Sequence, residues 1–219
     1  MSSGRDAAAV EPAVIETLTA AGVATVYEAA GRRGLIDVDL VQVVPGSRVA
    51  GAARTVVCGQ GDNRAVHEAM TLVRPGEVLV LTMPEPAPVA LIGELLATQA
   101  RVAGAAGVLV DAAVRDVDEL RALGLPVWAR WCRVRGATKR ERGSLDVPVS
   151  VGAATVAPGD IMVLDADGAV VVQRSSVDAV VAATRSRMAK ETGLRARLEA
   201  GVFSYDLHGM RTEDEPGGR

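Results

Sequence analysis

Apolar and polar residues alternate between positions 77 and 130 as short apolar runs separated by longer amphipathic stretches. The apolar runs are rich in Val and Leu, which is typical of buried strands. The amphipathic stretches have helical spacing, and each ends at a glycine. We therefore predict, in chain order, strand 77–82, helix 93–104, strand 107–111, helix 117–124 and strand 126–130. This β-α-β-α-β order predicts a parallel sheet with right-handed crossovers.

The flanking segments predict the rest of one α/β domain with a mixed sheet. The predicted elements are helix 12–30 with a break near Gly22, strand 48–58, a helix that starts at Asp62-Asn63, antiparallel strands within 147–173, and a long C-terminal helix that starts at Ser175 or Ser176. The β runs of 147–173 are separated by Pro-Gly-Asp and Asp-Gly turns, which favour antiparallel pairing. We expect a single domain over residues 10–211, with mobile ends at 1–9 and 212–219.

The composition narrows the class of protein. The chain has 219 residues, of which 49% are hydrophobic and 2% aromatic, so the core must be aliphatic. The net charge of −3 gives no overall attraction to nucleic acids or anionic membranes. No apolar run approaches the roughly 18 residues that cross a bilayer, and no signal peptide is evident, so we expect a soluble cytoplasmic protein. Cys58 and Cys132 are far apart and are expected to be small buried hydrophobic residues.

Charged residues cluster where ligands bind in open α/β sheets, at the carboxyl end of a predicted strand. Asp111 ends the strand 107–111, and Arg115 and Asp116 follow it. Glu94 lies 21 positions before Arg115 at the matching end of the adjacent unit, so both could face one cleft. Two carboxylates beside an arginine suit a hard cation such as Mg²⁺, which keeps several waters. The arginine could then stabilise an enolate oxygen of a 2-oxo acid.

The start of the helix 93–104 offers a second feature, a site for an anion. Gly93 permits a close approach of the backbone, and the amides of Leu95 and Leu96 are free donors at the positive end of the helix dipole. His67, on the preceding predicted helix, could contact the same substrate or be a structural histidine, and the sequence leaves both interpretations open.

Two of these segments also have simpler interpretations. Arg115-Asp116 followed by Asp118 and Glu119 could be a helix start with an acidic first turn, and the spacing alone does not exclude it. Residues 130–143 hold six basic side chains and could bind nucleic acid. That stretch has only Trp131 for stacking and the chain is acidic overall, so a solvated loop or a subunit contact is favoured.

The arrangement of Glu94, twenty intervening residues and then Arg115-Asp116 resembles a motif of the RraA-like family. The resemblance is to its enzymatic branch, the class II pyruvate aldolases that act on 4-hydroxy-4-methyl-2-oxoglutarate or 4-carboxy-4-hydroxy-2-oxoadipate. It covers roughly residues 12–211. The other stretches that carry it are 24–37, 45–56, 61–69, 143–172 and 205–211.

This resemblance implies a swivelling β/β/α domain that assembles as a homotrimer or homohexamer with active sites between subunits. It implies that Asp116 binds Mg²⁺ or Mn²⁺ directly and that Glu94 contacts the metal through water. Arg115 would stabilise the pyruvate enolate, and the amides of Leu95 and Leu96 would hold the substrate carboxylate. The implied reaction is retro-aldol cleavage to pyruvate, with oxaloacetate decarboxylation as a side activity.

Two departures from the family pattern, and a second branch of the same family, leave two alternative functions open. The family has Gly in place of Ala112, where a methyl group could crowd the pocket floor or change the backbone, and Glu in place of Val202. A lyase or decarboxylase that acts on another 2-oxo acid is therefore one alternative. The other branch regulates ribonuclease E, is shorter and tends to lose the aspartate that Asp116 matches. A non-catalytic regulator that binds a ribonuclease is therefore the second alternative.

Overall fold

A nine-stranded mixed sheet organises the fold. The computed structural model describes residues 10–211, so the predicted mobile ends at 1–9 and 212–219 lie outside the described residues. The strands are β1 Val41–Gln42, β2 Val49–Val57, β3 Glu77–Thr82, β4 Ala90–Ile92, β5 Gly107–Val114, β6 Val127–Cys132, β7 Ser144–Leu145, β8 Val149–Val151, β9 Ala154–Val156, β10 Ile161–Asp165 and β11 Gly168–Val172. The helices are α1 Pro12–Ala29, α2 Arg64–Ala69, α3 Glu94–Val102, α4 Val117–Leu123, α5 Val177–Glu199 and α6 Ser204–Leu207.

The centre of the sheet is parallel and its margins are antiparallel. The strand order is β1-β6-β5-β3-β2-β10-β11, and β6, β5, β3 and β2 run parallel to one another. β1 pairs antiparallel with β6, and β10 pairs antiparallel with both β2 and β11. β8 and β9 form a separate antiparallel hairpin. The predicted β-α-β-α-β centre and the mixed α/β class are therefore confirmed.

The strand that carries the candidate residues is longer than predicted. β5 continues past Asp111 to Val114, so Asp111 lies within the strand. Its carboxylate is buried and forms an ion pair with the guanidinium of Arg130 on β6. The register between β5 and β6 shifts at this point, between Val110 and Ala113. A charge that the sequence suggested as a strand end is therefore neutralised inside the sheet, and the strand ends immediately before Arg115.

The short strand β4 lies in a stretch that the sequence predicted as a Pro-rich loop. β3 pairs with the first half of β5, from Gly107 to Val110. β4 then pairs with the second half, placing Ala90 opposite Ala113 and Ile92 opposite Val114. Because β4 occupies this place, the helix α3 starts right beside the end of β5.

Helices and the hairpin cover the two faces of the sheet. One core cluster packs beneath α2, α3 and α4, and it contains Ala112, which is completely buried. The methyl group of Ala112 is therefore part of the hydrophobic core. The other face is covered by the β8–β9 hairpin in one cluster and by α1 and α5 in another. α1 bends at Gly22, whose φ is +77°, which confirms the predicted break.

The long helix α5 is fully buried only in its first two turns, and further along it contacts α1 through Arg187 and Glu191. Its buried residues are Val177, Val180, Val181 and Thr184. Beyond them the side chains are exposed or half-buried, and the short α6 follows. Within residues 10–211, no helix combines the length and apolarity needed to span a membrane.

Candidate active site

A cavity of about 150 Å³ lies where β4 and β5 end and where α3 and α4 begin. Its wall contains six residues that the sequence named as candidates for the site: His67, Gly93, Leu95, Leu96, Arg115 and Asp116. Residues of α2 and of the loop around Ala137 complete the wall. The rule that ligands bind beyond the carboxyl ends of parallel strands therefore locates this cavity correctly.

The two strand ends approach each other most closely at Gly93. A β-carbon at this position would collide with Asp116 Oδ2 and would lie 3.0 Å from Arg115 Cγ. The backbone of Gly93 is extended, with φ −140° and ψ −165°, so the glycine is required by space and not by its backbone conformation. The missing side chain at Gly93 lets Asp116 and Arg115 lie against the start of α3, and the approach of an anion to this backbone stays a prediction.

Asp116 directs its carboxylate away from its own helix. The residue occupies the cap position of α4 in a left-handed conformation, with φ +59° and ψ +49°, but its side chain makes no capping bond to α4. Instead, Asp116 Oδ2 accepts a hydrogen bond of 3.1 Å from the backbone N–H of Glu94, and Arg115 Nε lies 3.6 Å from the same oxygen. The simpler interpretation, a helix start with an acidic first turn, is correct in position, since Asp116 precedes α4 and Asp118 and Glu119 lie in its first turn. The Asp116 side chain, however, does not cap that helix.

The first turn of α3 presents donors to the cavity. The first amides of a helix have no carbonyl partner within that helix, and here the amide of Glu94 bonds to Asp116. The next two amides belong to Leu95 and Leu96, and both residues line the cavity. Together with the helix dipole they make this end of the cavity suitable for a carboxylate.

The side chain of Glu94 lies apart from the carboxylate of Asp116. Glu94 Oε1 accepts a hydrogen bond of 3.3 Å from the Thr98 hydroxyl, one turn further along α3. In the described part of the chain, residues 10–211, no three acidic, histidine or cysteine side chains come together as a ready-made metal site. A divalent cation that keeps several waters needs only one or two protein carboxylates, so Asp116 would suffice as the direct ligand, and Glu94 would have to turn from Thr98 to meet one of the waters.

The structure adds Asn63 to the candidate site, which the sequence indicated only as a cap of α2. Asn63 makes no side-chain capping bond and is buried in the cavity wall. Its Nδ2 donates a hydrogen bond of 2.9 Å to the carbonyl of Leu91, while its Oδ1 is buried without a hydrogen-bond partner. A buried acceptor without a partner is costly, so this oxygen is suited to a donor on a bound ligand.

Two basic side chains complete the mouth of the cavity. His67 projects from α2 and is exposed, and Lys139 comes from the loop after β6. Partial burial and the positive charge of Lys139 both lower the pKa of His67. His67 thus lines the cavity, as in the first of the two interpretations that the sequence left open, and its contact with a substrate stays a prediction. The sequence indicated Lys139 only as one member of a basic stretch.

Comparison with known proteins gives a consistent set of relatives. A family model described as RraA-like: Aldolase/RraA matches residues 21–171. A protein from Halalkalibacterium halodurans, provisionally named 4-hydroxy-4-methyl-2-oxoglutarate aldolase, is 34% identical over 157 residues, which are 72% of this chain and 75% of that protein.

Solved structures resemble the whole domain. An uncharacterized protein from Pseudomonas syringae pv. tomato matches with a TM-score of 0.80 at 25% identity, covering 89% of this chain and 96% of that one. A Streptomyces coelicolor protein, described as an unusual member of the RNase ES inhibitor RraA protein family, matches with a TM-score of 0.77 at 29% identity. That match covers 85% of this chain and 98% of the other.

Proposed function

Because this chain belongs to the RraA-like family described as Aldolase/RraA, we propose that it is a carbon–carbon lyase that releases pyruvate from a 4-hydroxy-2-oxo acid. The leading substrate is 4-hydroxy-4-methyl-2-oxoglutarate, as the name of the Halalkalibacterium halodurans relative suggests. The observation that carries the proposal is the convergence of Arg115, Asp116 and the start of α3 on one small cavity. A cavity of about 150 Å³ suits a small organic acid, since pockets for drug-sized ligands are several times larger.

Each residue of this cavity would contact a different group of such a substrate. The amides of Leu95 and Leu96 would hold the carboxylate next to the keto group. Arg115 would donate to the keto oxygen, where negative charge develops when the bond between C3 and C4 breaks. Asn63 Oδ1 would accept a hydrogen bond from the C4 hydroxyl, which gives this buried oxygen a donor. As the C3–C4 bond breaks, the hydroxyl proton would pass to water, and the enolate would take up a proton at C3 to give pyruvate. His67 and Lys139 would contact the far end of the substrate, where a second carboxylate lies.

A divalent cation fits this chemistry. Asp116 would hold Mg²⁺ or Mn²⁺ directly and Glu94 would contact it through water, and the cation when bound supplies Lewis-acid polarisation of the keto acid. The same Arg115 would stabilise the enolate left by loss of CO₂ from oxaloacetate, so we propose decarboxylation as a side activity. A related lyase that acts on another 2-oxo acid is the alternative within this class.

Pyruvate release tests the proposal. The protein is incubated with 4-hydroxy-4-methyl-2-oxoglutarate or oxaloacetate, with Mg²⁺, with Mn²⁺ or with EDTA, and pyruvate is measured. We expect turnover with either metal and none with EDTA. We expect Asp116→Asn and Asp116→Ala to abolish turnover, and Arg115→Lys to lower kcat by about a hundredfold, because Lys cannot reproduce the planar donor pair of Arg.

Two features make this test specific. Asparagine tolerates the left-handed backbone of Asp116 better than alanine does, so Asp116→Asn separates loss of charge from backbone strain. Asp118→Ala is the matched control, because Asp118 is almost fully exposed on the same helix and pairs only with Arg121 among the contacts described. Wild-type turnover in Asp116→Asn would contradict the role of Asp116.

A second candidate function is a regulator that binds a ribonuclease. It is favoured by the likeness to the Streptomyces coelicolor protein and by the basic stretch 130–143. A regulator needs neither metal nor Asp116. Absence of both pyruvate release and Mn²⁺ binding, measured by calorimetry, would replace the lyase by this candidate.

A further inference from the structure

The loop that follows β6 lies against the cavity and is fixed at two places. On one side, the N–H of Ala90 in β4 donates a hydrogen bond of 2.7 Å to the carbonyl of Arg135. On the other side, the backbone of Thr138 pairs with the segment before α2. The Thr138 N–H donates to the carbonyl of Gly61 at 2.9 Å, and the Asn63 N–H donates to the carbonyl of Thr138 at 2.9 Å. Residues 135–140, which contain both attachments, form the cavity loop.

The second attachment is centred on Asp62, a completely buried carboxylate. Asp62 Oδ2 accepts bonds of 2.5 Å from the Thr138 hydroxyl and 2.6 Å from the Arg140 N–H, and Oδ1 accepts one of 2.9 Å from the Arg64 N–H. Burial would raise the pKa of Asp62, but these donors outweigh it and hold the pKa well below its usual range. Through these hydrogen bonds, the Asp62 carboxylate joins the cavity loop to the start of α2.

The cavity loop in turn contacts two residues of the proposed site. A β-carbon on Gly136 would lie only 2.9 Å from Arg115 Nη1, so the backbone of the loop lies directly against the guanidinium. Ala137 and Lys139 line the cavity itself. Any displacement of the loop would therefore move Lys139 and remove a support from Arg115.

We propose that Asp62 is a positioning residue, whose buried carboxylate holds the cavity loop so that Arg115 and Lys139 face the substrate together. This inference rests on the proposed lyase function. Asp62 does not touch the cavity and does not react. It acts through the loop, and its loss should affect catalysis even in a fully folded protein, because a displacement of about 1 Å at a reacting group can cost about a hundredfold in rate.

The test compares Asp62→Asn with Asp160→Asn in the full chain with Mg²⁺ bound. Asp160 is the matched control: it is also buried and accepts two backbone N–H bonds, from Ala157 at 2.9 Å and Arg174 at 2.8 Å, but it lies at the start of β10. We expect Asp62→Asn to lower kcat and raise KM, for a combined loss of about tenfold or more in kcat/KM. Asp160→Asn should keep wild-type kinetics at a temperature where both variants are folded.

A variant that lacks the Lys139 side chain separates the effect of the cavity loop on Arg115 from its effect on Lys139. In Lys139→Ala, the added Asp62→Asn substitution should still lower kcat through Arg115 but should no longer raise KM. Thr138→Val, which removes one donor from an exposed position, serves if Asp62→Asn does not fold, and it should shift the kinetics in the same direction. Amide hydrogen exchange should be faster at Thr138 and Arg140 in Asp62→Asn only.

Two outcomes would overturn the inference. One is faster amide exchange in the cavity loop with unchanged kcat and KM, because the position of the loop would then not matter to the site. The other is a kinetic change in Asp62→Asn no larger than in Asp160→Asn. If wild-type protein releases no pyruvate, the proposed function fails separately, and calorimetric binding of pyruvate becomes the readout. Weaker binding in Asp62→Asn alone would then still support the positioning role.

Discussion

At the scale of single residues, Gly93 is the position where a small change should have the largest chemical effect. A methyl group there would collide with Asp116 Oδ2, although the extended backbone itself accepts alanine. We expect Gly93→Ala to lower kcat/KM by about a hundredfold, because Asp116 and Arg115 must both shift. The free energy of unfolding should fall by less than about 2 kcal/mol, since exposed side chains can move. Pyruvate release and urea unfolding measure the two effects.

Gly193→Ala is the control for this substitution. Gly193 lies in α5 with open space around its position. Alanine there should raise the free energy of unfolding by about 0.5–1 kcal/mol without changing kcat/KM. Wild-type turnover in Gly93→Ala would show that the contact between the two strand ends is not needed.

The charge of His67 gives a second prediction at this scale. Burial and the charge of Lys139 lower the pKa of His67 below the ordinary 6.5. At a pH between the folded-state pKa and 6.5, the unfolded chain therefore binds more protons than the folded one. His67 therefore supports folding above pH 6.5, and this support is lost as the pH falls through the folded-state pKa. We expect the NMR titration midpoint of His67, assigned with His67→Gln, to rise in Lys139→Ala. An unchanged midpoint would contradict the placement of Lys139.

From the sequence, only those contacts of the candidate site that arise from strands pairing in one sheet could be predicted. The sequence placed Arg115 and Gly93 at matching ends of adjacent parallel units, but the strand that brings them together is β4, which the sequence predicted as a loop. Asn63 and Lys139 could not be found in this way. Asn63 reaches the cavity because its amide bonds to Leu91, and Lys139 because the cavity loop bonds to Asp62. Both are tertiary contacts that leave no periodic signal in the sequence.

At the scale of elements, the predicted helices and central strands were confirmed, and the errors have a common cause. β4 has three residues in a Pro-rich stretch, and only its pairing with β5 makes it a strand. β5 was predicted too short because Asp111 suggested an exposed end, whereas Arg130 on the neighbouring strand neutralises it. In both cases the decisive partner is distant in sequence, and local pattern cannot supply it.

The bend of α1 gives a prediction at the scale of an element. Gly22 has φ +77°, and a β-carbon there would lie 2.6 Å from Asp165 Oδ2, which accepts the Val23 N–H at 2.9 Å. We expect Gly22→Ala to lower the free energy of unfolding by about 2 kcal/mol or more, because it adds backbone strain and disturbs this bond. Urea unfolding measures it. Because α1 is remote from the cavity, kcat/KM should not change, and a joint loss would contradict this separation.

At the scale of the whole molecule, the outer part of α5 and the segment after it expose apolar side chains. Leu198, Phe203, Tyr205 and Met210 are all exposed. Arg211 packs over the ring of Tyr205 and pairs with Asp206, so this segment has its own local order. The trimer or hexamer implied by the family resemblance stays a prediction, and this surface is where we expect a neighbouring subunit to contact the chain.

Sedimentation velocity checks this prediction. The wild-type chain should sediment as a trimer or hexamer. The double variant Phe203→Ser, Met210→Ser should dissociate at a higher protein concentration than the wild type, because it removes apolar surface from the contact. Leu72→Ser, at an exposed apolar residue in the turn after α2, is the control and should assemble as wild type. A monomeric wild-type chain would refute the expected assembly.

The left-handed backbone of Asp116 has a consequence for how this family diverges. Asparagine adopts that conformation as easily as aspartate, and the codons of the two amino acids differ by one nucleotide. A single nucleotide change could thus replace the carboxylate by an amide without loss of stability, so selection for folding would not remove it. Descendants with superimposable backbones would then have different histories, one retaining its chemistry and one free to acquire a new role. If Asp116 holds the proposed metal, the identity of this one side chain would mark enzymatic ancestry in the family better than the similarity of the folds.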